Sequence, residues 1–390
     1  MKIVDIQTLV VNADLRNWVF VKVITDVDGL YGWGEGTLEW KTRAVVSAVD
    51  DIKPLMIGQD PRDIEQAFRR MTKFHFWQPG TIAMTAISAI EHALWDILGK
   101  SVGLPVWRLL GGKTHNVIKA YTHLGQGNAK AIYETFNKNA FVDKALEVVD
   151  MGYQAMKILF VPYCHYTSAS SEISMVEETI GAVRQAVGND IDIMVDFHGR
   201  PASTSLAVQY IKALEPSNPL FVEEPIQPGD PASMRDVMMK VSCPIATGER
   251  LIQYKEFEQL FLHRAVNIIQ PDLSHCGGMW MAKKIAAAAE GAYCGVAPHN
   301  PAGPIAGAVA LHFDVSTPNF VIQEEMIGAV PWFHDVVDTP IRMVDGCWQI
   351  PEKPGLGVEV NEAEARRHPY QPEPQSGAEA QLREGTIVNW

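Results

Sequence analysis

Six acidic or imidazole residues recur through the second half of the chain, each 23 to 27 residues after the one before. They are Asp196, Glu223, Glu249, Asp272, His299 and Glu324. Each closely follows a short apolar run of the kind that forms a buried strand, such as residues 193–195. A helix N-cap or an ordinary loop residue explains any one of these positions, but caps have no reason to recur at the same place in six units. The series therefore predicts six functional side chains brought to one place.

The first three members of the series predict a metal site. Asp196, Glu223 and Glu249 cannot lie side by side in ionised form without a cation, because like charges repel. A site built from carboxylate oxygens suits Mg²⁺, with water and substrate completing the coordination. Zinc is less favoured because no cluster of cysteine or histidine residues accompanies the acids. The pattern predicts one Mg²⁺ per subunit.

Two histidines suit proton transfer. His299 follows Asp272 by one unit of the series, so a carboxylate on the neighbouring strand can hold the imidazole and raise its pKa. This pair predicts a general base. His198 lies two residues after Asp196, and side chains two apart on a strand share a face, which makes His198 a candidate acid. A structural role in the core is the alternative for both histidines.

The elements that position these residues form a repeating series. Short β-rich runs alternate with amphipathic stretches such as residues 173–187 and 280–289, which predicts eight strands separated by helices. The predicted strands span residues 117–121, 155–160, 191–195, 220–223, 244–247, 268–271, 295–298 and 321–323. This pattern is typical of a parallel barrel, whose active site lies at the carboxyl ends of the strands.

The residues before the predicted barrel have a different sequence pattern. Residues 1–40 are β-rich, and Asp28-Gly29 predicts a hairpin turn. Apolar residues then recur at helical spacing over residues 82–98, and Gly99 and Gly103 are expected to end that helix. We expect an α+β capping domain over residues 1–115, a barrel domain over 116–355, and a C-terminal segment, 356–390, that is rich in proline and glutamate.

Composition narrows the class of protein. The chain has 390 residues, a net charge of −13 and 47% hydrophobic residues, which suits a globular enzyme and argues against disorder. The acidic charge argues against a nucleic-acid partner. No signal peptide is evident, and the longest apolar stretch, about 302–313, is too short to span a membrane. Five scattered cysteines are expected to be reduced, so we expect a cytoplasmic protein.

The motifs around these residues resemble those of the enolase superfamily, in its mandelate racemase subgroup. They span residues 196–200, 221–225, 247–250, 270–278, 297–299 and 323–324. Residues 297–304 resemble acid-sugar dehydratases of the D-galactonate dehydratase type, whereas His123 and residues 385–390 resemble D-mannonate dehydratases. The resemblance covers essentially the whole chain. It implies an α/β fold, a modified TIM barrel of the form (β/α)7β with an N-terminal α+β capping domain completed by the C-terminal segment.

The resemblance also implies a mechanism. Mg²⁺ binds the substrate carboxylate, His299 takes the α-proton with Asp272 as its orienting partner, and His198 helps the 3-hydroxyl to leave. A His or Lys base with Mg²⁺ is an established feature of this superfamily rather than a deduction from the present sequence. Glu324 is expected to hydrogen-bond the substrate carboxylate and stabilise the enediolate. Arg250 is expected to support the metal or the substrate.

The second barrel strand departs from the family pattern. Lys157 is present as a substrate-binding candidate, but Leu159 stands where many relatives carry a second lysine that serves as a base on the other face. Because a racemase exchanges protons on both faces, Leu159 disfavours that activity. In the following loop, residues 161–167, Tyr163 is a candidate for substrate contact or for proton transfer, with an ordinary packing loop as the alternative.

Aromatic residues and one further histidine complete the substrate-binding candidates. Trp18, which we expect in the loop between the first two strands, and Trp40 are placed to reach the sugar from the capping domain. Trp390 and His123 are candidates through the mannonate-type resemblance. Single aromatic residues of this kind more often serve packing.

These observations favour a Mg²⁺-dependent dehydratase of an acid sugar, an aldonate such as D-galactonate or a related hexonate. The alternatives are a racemase or epimerase of a carboxylate, and a catalytically weak protein that binds or senses an acid sugar. The resemblance also implies an even-numbered homo-oligomer, and no membrane partner is expected.

Overall fold

A computed structural model describes residues 1–73, 76–124, 137–159, 161–374 and 380–390. Its N-terminal part is an antiparallel sheet of three strands, β1 (Ile3–Ala13), β2 (Arg16–Thr25) and β3 (Tyr31–Glu35). Three helices follow: α1 (Thr42–Met56), α2 (Ile64–Lys73) and α3 (Thr81–Val102). The predicted turn lies between β2 and β3, where Gly29 adopts a left-handed φ of 71°. This arrangement confirms the α+β cap.

The backbone of β3 lies directly against α3, and glycine makes this approach possible. A Cβ atom at Gly34 would lie 1.9 Å from the carbonyl oxygen of Ala89, and one at Gly32 would lie 2.1 Å from that of Ala93. Any side chain at these positions would therefore separate the helix from the sheet.

Helix α3 corrects two expectations. It continues through Gly99 and ends at Gly103, whose φ is 70°. At 22 residues it is also a longer apolar segment than residues 302–313, and it has the length and hydropathy of a membrane span. However, 83% of its apolar window is buried inside the protein. We therefore interpret α3 as a core helix that joins the cap to the barrel.

Eight parallel strands close the barrel. They are β4 (Ile118–His123), β5 (Ala155–Leu159), β6 (Asp192–Asp196), β7 (Phe221–Glu223), β8 (Ile245–Thr247), β9 (Ile268–Ile269), β10 (Gly295–Val296) and β11 (Gln323–Glu324). Neighbours pair in chain order from β4 to β10, and β11 pairs with β4. Val296 also bridges to Phe320, just before β11, which completes the ring. All eight predicted strands are present, although β9, β10 and β11 are only two residues long.

Helices cover the outside of this barrel. A short helix, α4 (Val106–Leu109), precedes β4. The helices between the strands are α5 (Lys138–Asp150), α6 (Ser170–Val187), α7 (Thr204–Leu214), α8 (Pro231–Met238), α9 (Tyr254–His263), α10 (Gly278–Gly291) and α11 (Pro304–Val315). Each lies between two consecutive strands, and β11 closes the series, so the fold is the expected (β/α)7β barrel.

The barrel interior is built in layers. One apolar layer takes a residue from each strand unit: Tyr121, Ala155, Met194, Phe221, Ala246, Ile268, Ala297 and Ile322. Because side chains alternate along a strand, the residues two positions later face the same interior. Those residues are His123, Lys157, Asp196, Glu223, Gly248, Gln270, His299 and Glu324. The polar layer at the mouth therefore follows from the register of the apolar layer beneath it.

The C-terminal segment contacts both the cap and the barrel mouth. After a hairpin of β12 (Met343–Val344) and β13 (Cys347–Trp348), which pairs with β4, the chain forms a short helix, α12 (Glu362–Ala365). Beyond it, the backbone oxygen of His368 accepts the Asn12 N–H at 2.8 Å. Near the end of the chain, the Asn389 side chain donates to the Gly199 oxygen at 3.0 Å.

Replacing Gly34 with alanine should lower the free energy of unfolding by about 3 kcal/mol, because the new methyl group would collide with the backbone of α3. Chemical denaturation monitored by circular dichroism measures the change. Gly181→Ala is the control: it lies inside α6 with open space around it, so this variant should gain about 0.5 to 1 kcal/mol. Equal stability of the two variants would contradict the close packing of β3 on α3.

Candidate active site at the barrel mouth

Three carboxylates converge at the mouth of the barrel. Asp196 and Glu223 end β6 and β7, and Glu249 lies two residues beyond β8. Each offers an oxygen atom, and these atoms all lie within 4.8 Å of one another. All three side chains are buried. Burial raises the pKa of Glu223 well above its ordinary value and that of Glu249 to about 7.

A divalent cation fits this cluster. The Oε2 atom of Glu249 is buried and has no hydrogen-bond partner among the described residues. Three oxygen donors with mutual repulsion and one unsatisfied buried atom are the features that a hard cation would satisfy. Asp196, Glu223 and Glu249 therefore form a candidate site for a divalent metal ion.

Lys157 lies at the base of this cluster. Its ammonium nitrogen is 2.9 Å from Glu223 Oε2, 2.7 Å from Glu324 Oε1 and 3.8 Å from Asp196 Oδ2. Burial opposes its positive charge, but the Glu223 and Glu324 carboxylates outweigh burial and raise the pKa of Lys157 well above its usual range. Lys157 is therefore a fixed cation that partly neutralises the acids, although it also borders the cavity.

His299 and Asp272 form the expected pair. The Nδ1 atom of His299 lies 2.8 Å from Asp272 Oδ2. Its Nε2 atom faces the cavity, 3.7 Å from Glu249 Oε2 and 3.9 Å from Glu324 Oε2. Burial opposes the imidazolium, but Glu249, Glu324 and Asp272 outweigh burial, so the pKa of His299 is raised well above its ordinary value. A cation bound to Glu249 would weaken that effect and leave Nε2 free to accept a proton.

His198 lies across the mouth from His299, because β6 and β10 are four strands apart in a barrel of eight. Its backbone N–H donates to Asp196 Oδ1 at 2.7 Å, and its Nε2 atom is 4.0 Å from Asp196 Oδ2. Strand alternation does not explain this placement, because β6 ends at Asp196 and His198 has a left-handed φ of 56°. Burial lowers the pKa of His198 to about 4, so the imidazole is uncharged at neutral pH in the absence of bound ligands.

Glu324 is a hub of hydrogen bonds. It accepts from Lys157 Nζ, from His123 Nε2 at 2.5 Å and from the Asn300 backbone N–H at 2.8 Å. Burial disfavours its charge, but Lys157, His299 and His123 outweigh burial and hold the pKa of Glu324 well below its usual range. His123 borders the cavity, but its Nε2 atom is engaged by Glu324.

Arg250 is fixed at the rim of the mouth. Its Nε and Nη2 atoms donate to the two carboxylate oxygens of Glu224 at 3.0 and 2.5 Å, and Nη1 donates to Gln227 Oε1 at 2.9 Å. This bidentate ion pair fixes Arg250, which directly follows Glu249 in the chain. Arg250 therefore braces the metal ligand and also lines the cavity.

Two substrate-binding candidates are corrected by the structure. Trp18 lies in β2 rather than in a loop, and it is only 1% exposed, with its ring against Phe333. The ring of Tyr163 packs 4.5 Å from the Arg200 guanidinium. Neither aromatic residue lines the described wall of the cavity at the metal triad. The sequence signal failed because an aromatic residue near a mouth serves packing as readily as binding.

The cavity above the triad has a volume of about 490 Å³. Its described wall is formed by Arg16, Leu38, Glu39, Trp40, Thr81, His123, Lys157, Leu159, Asp196, His198, Glu249, Arg250, Ile252, His275, His299, Pro301, Glu324, Met326 and Trp390. Trp40 and Trp390 meet edge to face, with ring centroids 5.3 Å apart. Both therefore lie where the sequence analysis places them.

Several cavity residues carried no role in the sequence analysis. His275 is the clearest: its Nδ1 atom is 2.8 Å from Thr85 Oγ1, and its Nε2 atom is 3.6 Å from Asp272 Oδ2. It lies three residues after Asp272, in a turn where the His275 N–H donates to the Asp272 backbone oxygen at 3.0 Å, and this short spacing is the signal that identifies it. Arg16 and Glu39, which form an ion pair of 2.9 Å, come from the cap and have no such signal.

Comparison with known proteins agrees with this geometry. Residues 4–111 match the N-terminal domain of mandelate racemase and muconate lactonizing enzymes, and residues 140–364 match the enolase C-terminal domain-like family. The chain belongs to the enolase superfamily, in its mandelate racemase subgroup. It is 34% identical to a D-galactonate dehydratase of Xanthomonas oryzae pv. oryzae, over 96% of both chains. A D-galactonate dehydratase of Pectobacterium atrosepticum is 36% identical over 88% of this chain and 89% of its own.

A solved structure of this subgroup is equally similar. The mandelate racemase/muconate lactonizing enzyme of Jannaschia sp. CCS1 is 33% identical, covers both chains completely and superposes with a TM-score of 0.87. The likeness therefore extends over the cap, the barrel and the C-terminal segment of this enolase-superfamily chain.

Replacing Glu223 with glutamine should weaken Mg²⁺ binding by at least about 10-fold, because the triad loses one of its three charged ligands. Isothermal titration calorimetry measures the affinity. Glu65→Gln serves as the control, since this surface carboxylate pairs with Lys284 and Arg69 outside the site. Unchanged affinity in Glu223→Gln would remove Glu223 from the metal site.

Proposed function

We propose that this enzyme is a hydro-lyase that converts an acid sugar into a 2-keto-3-deoxy acid with the help of Mg²⁺. The observation that carries the proposal is the position of two imidazoles, His299 and His198, across the mouth from each other in a cavity that Asp196 and Glu249 of the carboxylate triad also line. Dehydration next to a carboxylate needs one group to take the α-proton and another to protonate the leaving hydroxyl. The relatives named D-galactonate dehydratase make an aldonate the first candidate substrate.

In the proposed reaction, His299 acts as the base. Its Nε2 atom accepts the proton on the α carbon, and the C–H electrons move into the substrate carboxylate to form an enediolate. Asp272 accepts the Nδ1 hydrogen of His299, which fixes the tautomer and stabilises the imidazolium that forms. When bound at the triad, Mg²⁺ supplies positive charge that holds the substrate carboxylate and stabilises the enediolate.

His198 acts as the acid in the second step. As the enediolate collapses, the bond between the β carbon and its hydroxyl breaks, and a proton from His198 converts the departing hydroxide into water. The resulting enol takes a proton at the β carbon, loses its O–H proton to water and becomes the 2-keto-3-deoxy acid. Because burial lowers the pKa of His198 to about 4, we expect its acidic form to depend on the anionic substrate beside it.

Leu159 favours dehydration over racemisation. Its side chain borders the cavity at the end of β5, where the second lysine of two-base relatives would stand. An alkyl side chain cannot take a proton. A base on that face would have to come from elsewhere in the described wall of the cavity. Besides His198 and the groups engaged by Glu324 or Asp272, that wall carries Asp196 and Glu249, which belong to the triad, and Glu39, which pairs with Arg16.

The charges of the cavity favour a substrate with one carboxylate. The lysine and arginine side chains in the described wall are Arg16, Lys157 and Arg250. Each already pairs with a protein carboxylate: Glu39, Glu223 and Glu224, respectively. A second substrate carboxylate would find none of these cations free, so we propose an aldonate rather than a diacid.

Two variants separate the proposed steps. His299→Asn should abolish exchange of the α-proton and leave Mg²⁺ binding intact, because Asn300 and Glu324 still hold the loop. His198→Asn should slow product formation by about 100-fold or more while α-proton exchange continues, because the base remains. The measurements are proton exchange in D₂O by NMR and 2-keto-3-deoxy product formation.

The wild-type protein is first screened with Mg²⁺ against single- and double-carboxylate sugars, D-galactonate among them. Turnover of a hexonate with no turnover of diacids supports the proposal. Loss of α-proton exchange in both variants would contradict the division of roles between His299 and His198. Exchange in the wild-type protein without loss of water would instead identify a racemase or epimerase.

A further inference from the structure

Buried carboxylates of the capping domain reach across to the barrel. Glu35, the last residue of β3, accepts the backbone N–H groups of Gly303 at 2.7 Å and Ala306 at 2.8 Å, one on each oxygen. Thr37 Oγ1 donates to the same carboxylate at 2.6 Å. Glu35 is completely buried. These N–H groups surround the start of α11, so Glu35 caps this barrel helix from another part of the chain.

Glu91 makes the same kind of contact on α10. Its two oxygens accept the backbone N–H groups of Met279 at 3.0 Å and Trp280 at 2.9 Å, and Trp95 Nε1 donates to it at 2.8 Å. Glu91 comes from α3 and is completely buried. A Cβ atom at Gly278 would lie 2.1 Å from Glu91 Oε2, so glycine at this position makes room for the carboxylate.

Each of the two capped helices follows a segment that carries one member of the His299–Asp272 pair. Residues 299–303 connect His299 to α11, and residues 272–277 connect Asp272 to α10. The cap thus contacts each segment at the end that adjoins its helix. Near the start of residues 299–303, Glu324 accepts the Asn300 N–H.

Other side chains of the cap contact the same two segments. Ser88 Oγ accepts the Gly277 N–H at 3.0 Å, and His92 Nε2 lies 3.0 Å from the Leu273 oxygen. The Arg16 guanidinium donates to the Pro301 oxygen. The cap therefore contacts each segment at more than one point.

We propose that Glu35 and Glu91 are positioning residues, through which the capping domain fixes the relative placement of His299 and Asp272. The two side chains belong to different strand units, and their 2.8 Å contact depends on both segments being held. A displacement of about 1 Å at a reacting group can cost about 100-fold in rate. The cap then contributes to the reaction through the geometry of the base as well as through the wall of the cavity.

Asp96 provides a matched control within the same helix as Glu91. It is also completely buried, and its two oxygens accept the N–H groups of Leu356 at 2.8 Å and Trp33 at 2.9 Å. Asp96 also pairs with Lys100 Nζ at 2.7 Å, and none of these partners belongs to the segments of His299 and Asp272. Loss of Asp96 therefore weakens the cap, at Trp33 of β3 and at Leu356, without removing a contact to either segment.

The experiment compares Glu35→Gln, Glu91→Gln and Asp96→Asn. Each substitution keeps the shape of the side chain but replaces one acceptor oxygen with an N–H₂ group, which faces a donor and breaks that contact. We expect all three to lower the melting temperature. In the two glutamate variants kcat should fall by about 10- to 100-fold with KM changed by less than about 3-fold, whereas Asp96→Asn should keep kcat within about 3-fold.

A second measurement needs no substrate. Hydrogen exchange followed by mass spectrometry should show faster exchange of residues 299–306 in Glu35→Gln and of residues 272–280 in Glu91→Gln. Asp96→Asn should show faster exchange around residues 355–357 instead. If Glu35→Gln does not fold, Gly303→Ala replaces it. Its Cβ atom would lie 2.8 Å from Glu35 Oε1 and 2.8 Å from Trp18 Cγ, so the methyl group would displace the carboxylate and the indole ring while the charge of Glu35 is kept.

The kinetic measurement rests on the proposed function, whereas the hydrogen-exchange measurement does not. Failure of the wild-type protein to turn over any acid sugar would count against the proposed function, while exchange confined to the two segments would still support the positioning role. Equal loss of kcat in Asp96→Asn and Glu35→Gln would overturn the inference, as would unchanged exchange in residues 299–306 and 272–280.

Discussion

Negative charge crowded at one end of the barrel is the constraint on which the rest of this structure depends. Asp196, Glu223 and Glu249 bring their oxygens within 4.8 Å of one another in a buried place. The Lys157 ammonium group compensates part of this negative charge, and a divalent cation would compensate the remainder. Glu249 of this cluster is also one of the carboxylates that raise the pKa of His299, together with Glu324 and Asp272. A cation bound at Glu249 would therefore oppose the protonation of His299.

Rigid placement of these groups comes from outside the metal cluster. Glu324 joins Lys157, His123 and the Asn300 N–H, so the layer at the mouth is held from within. Glu35 and Glu91 hold the following helices from the cap. Besides the apolar contacts of α3, the cap places buried carboxylates on barrel N–H groups. The domain that borders the cavity therefore also contacts the helices that follow His299 and Asp272.

The alternation of strands and the spacing of polar residues were enough to predict the barrel, the eight strands and the members of the triad. They were enough because the spacing of one strand–helix unit is fixed by geometry. The register of the apolar layer decides that Asp196 and Glu223 face the mouth, whereas Glu249 lies three residues after Ala246, outside that alternation, and was predicted by the spacing alone. His299 with Asp272 was predictable for the same reason. The position of His198 in the cavity has a different cause. Strand β6 ends at Asp196, and the left-handed φ of His198 itself directs the imidazole to the cavity. The position of His198 in the cavity was therefore predicted, but strand alternation was the wrong reason for it.

The sequence by itself determined the layered barrel and the row of acids and imidazoles at its mouth, since both depend on local periodicity. Only the tertiary structure decided which side chains from distant segments complete the site. Trp18 is packed in β2 and Tyr163 stacks on Arg200, while Arg16, Glu39 and His275 line the cavity. The burial of α3 and the helix caps of Glu35 and Glu91 were decided there too. The contact of Glu35 with Ala306, for example, joins residues 271 positions apart, and no spacing along the chain encodes such contacts.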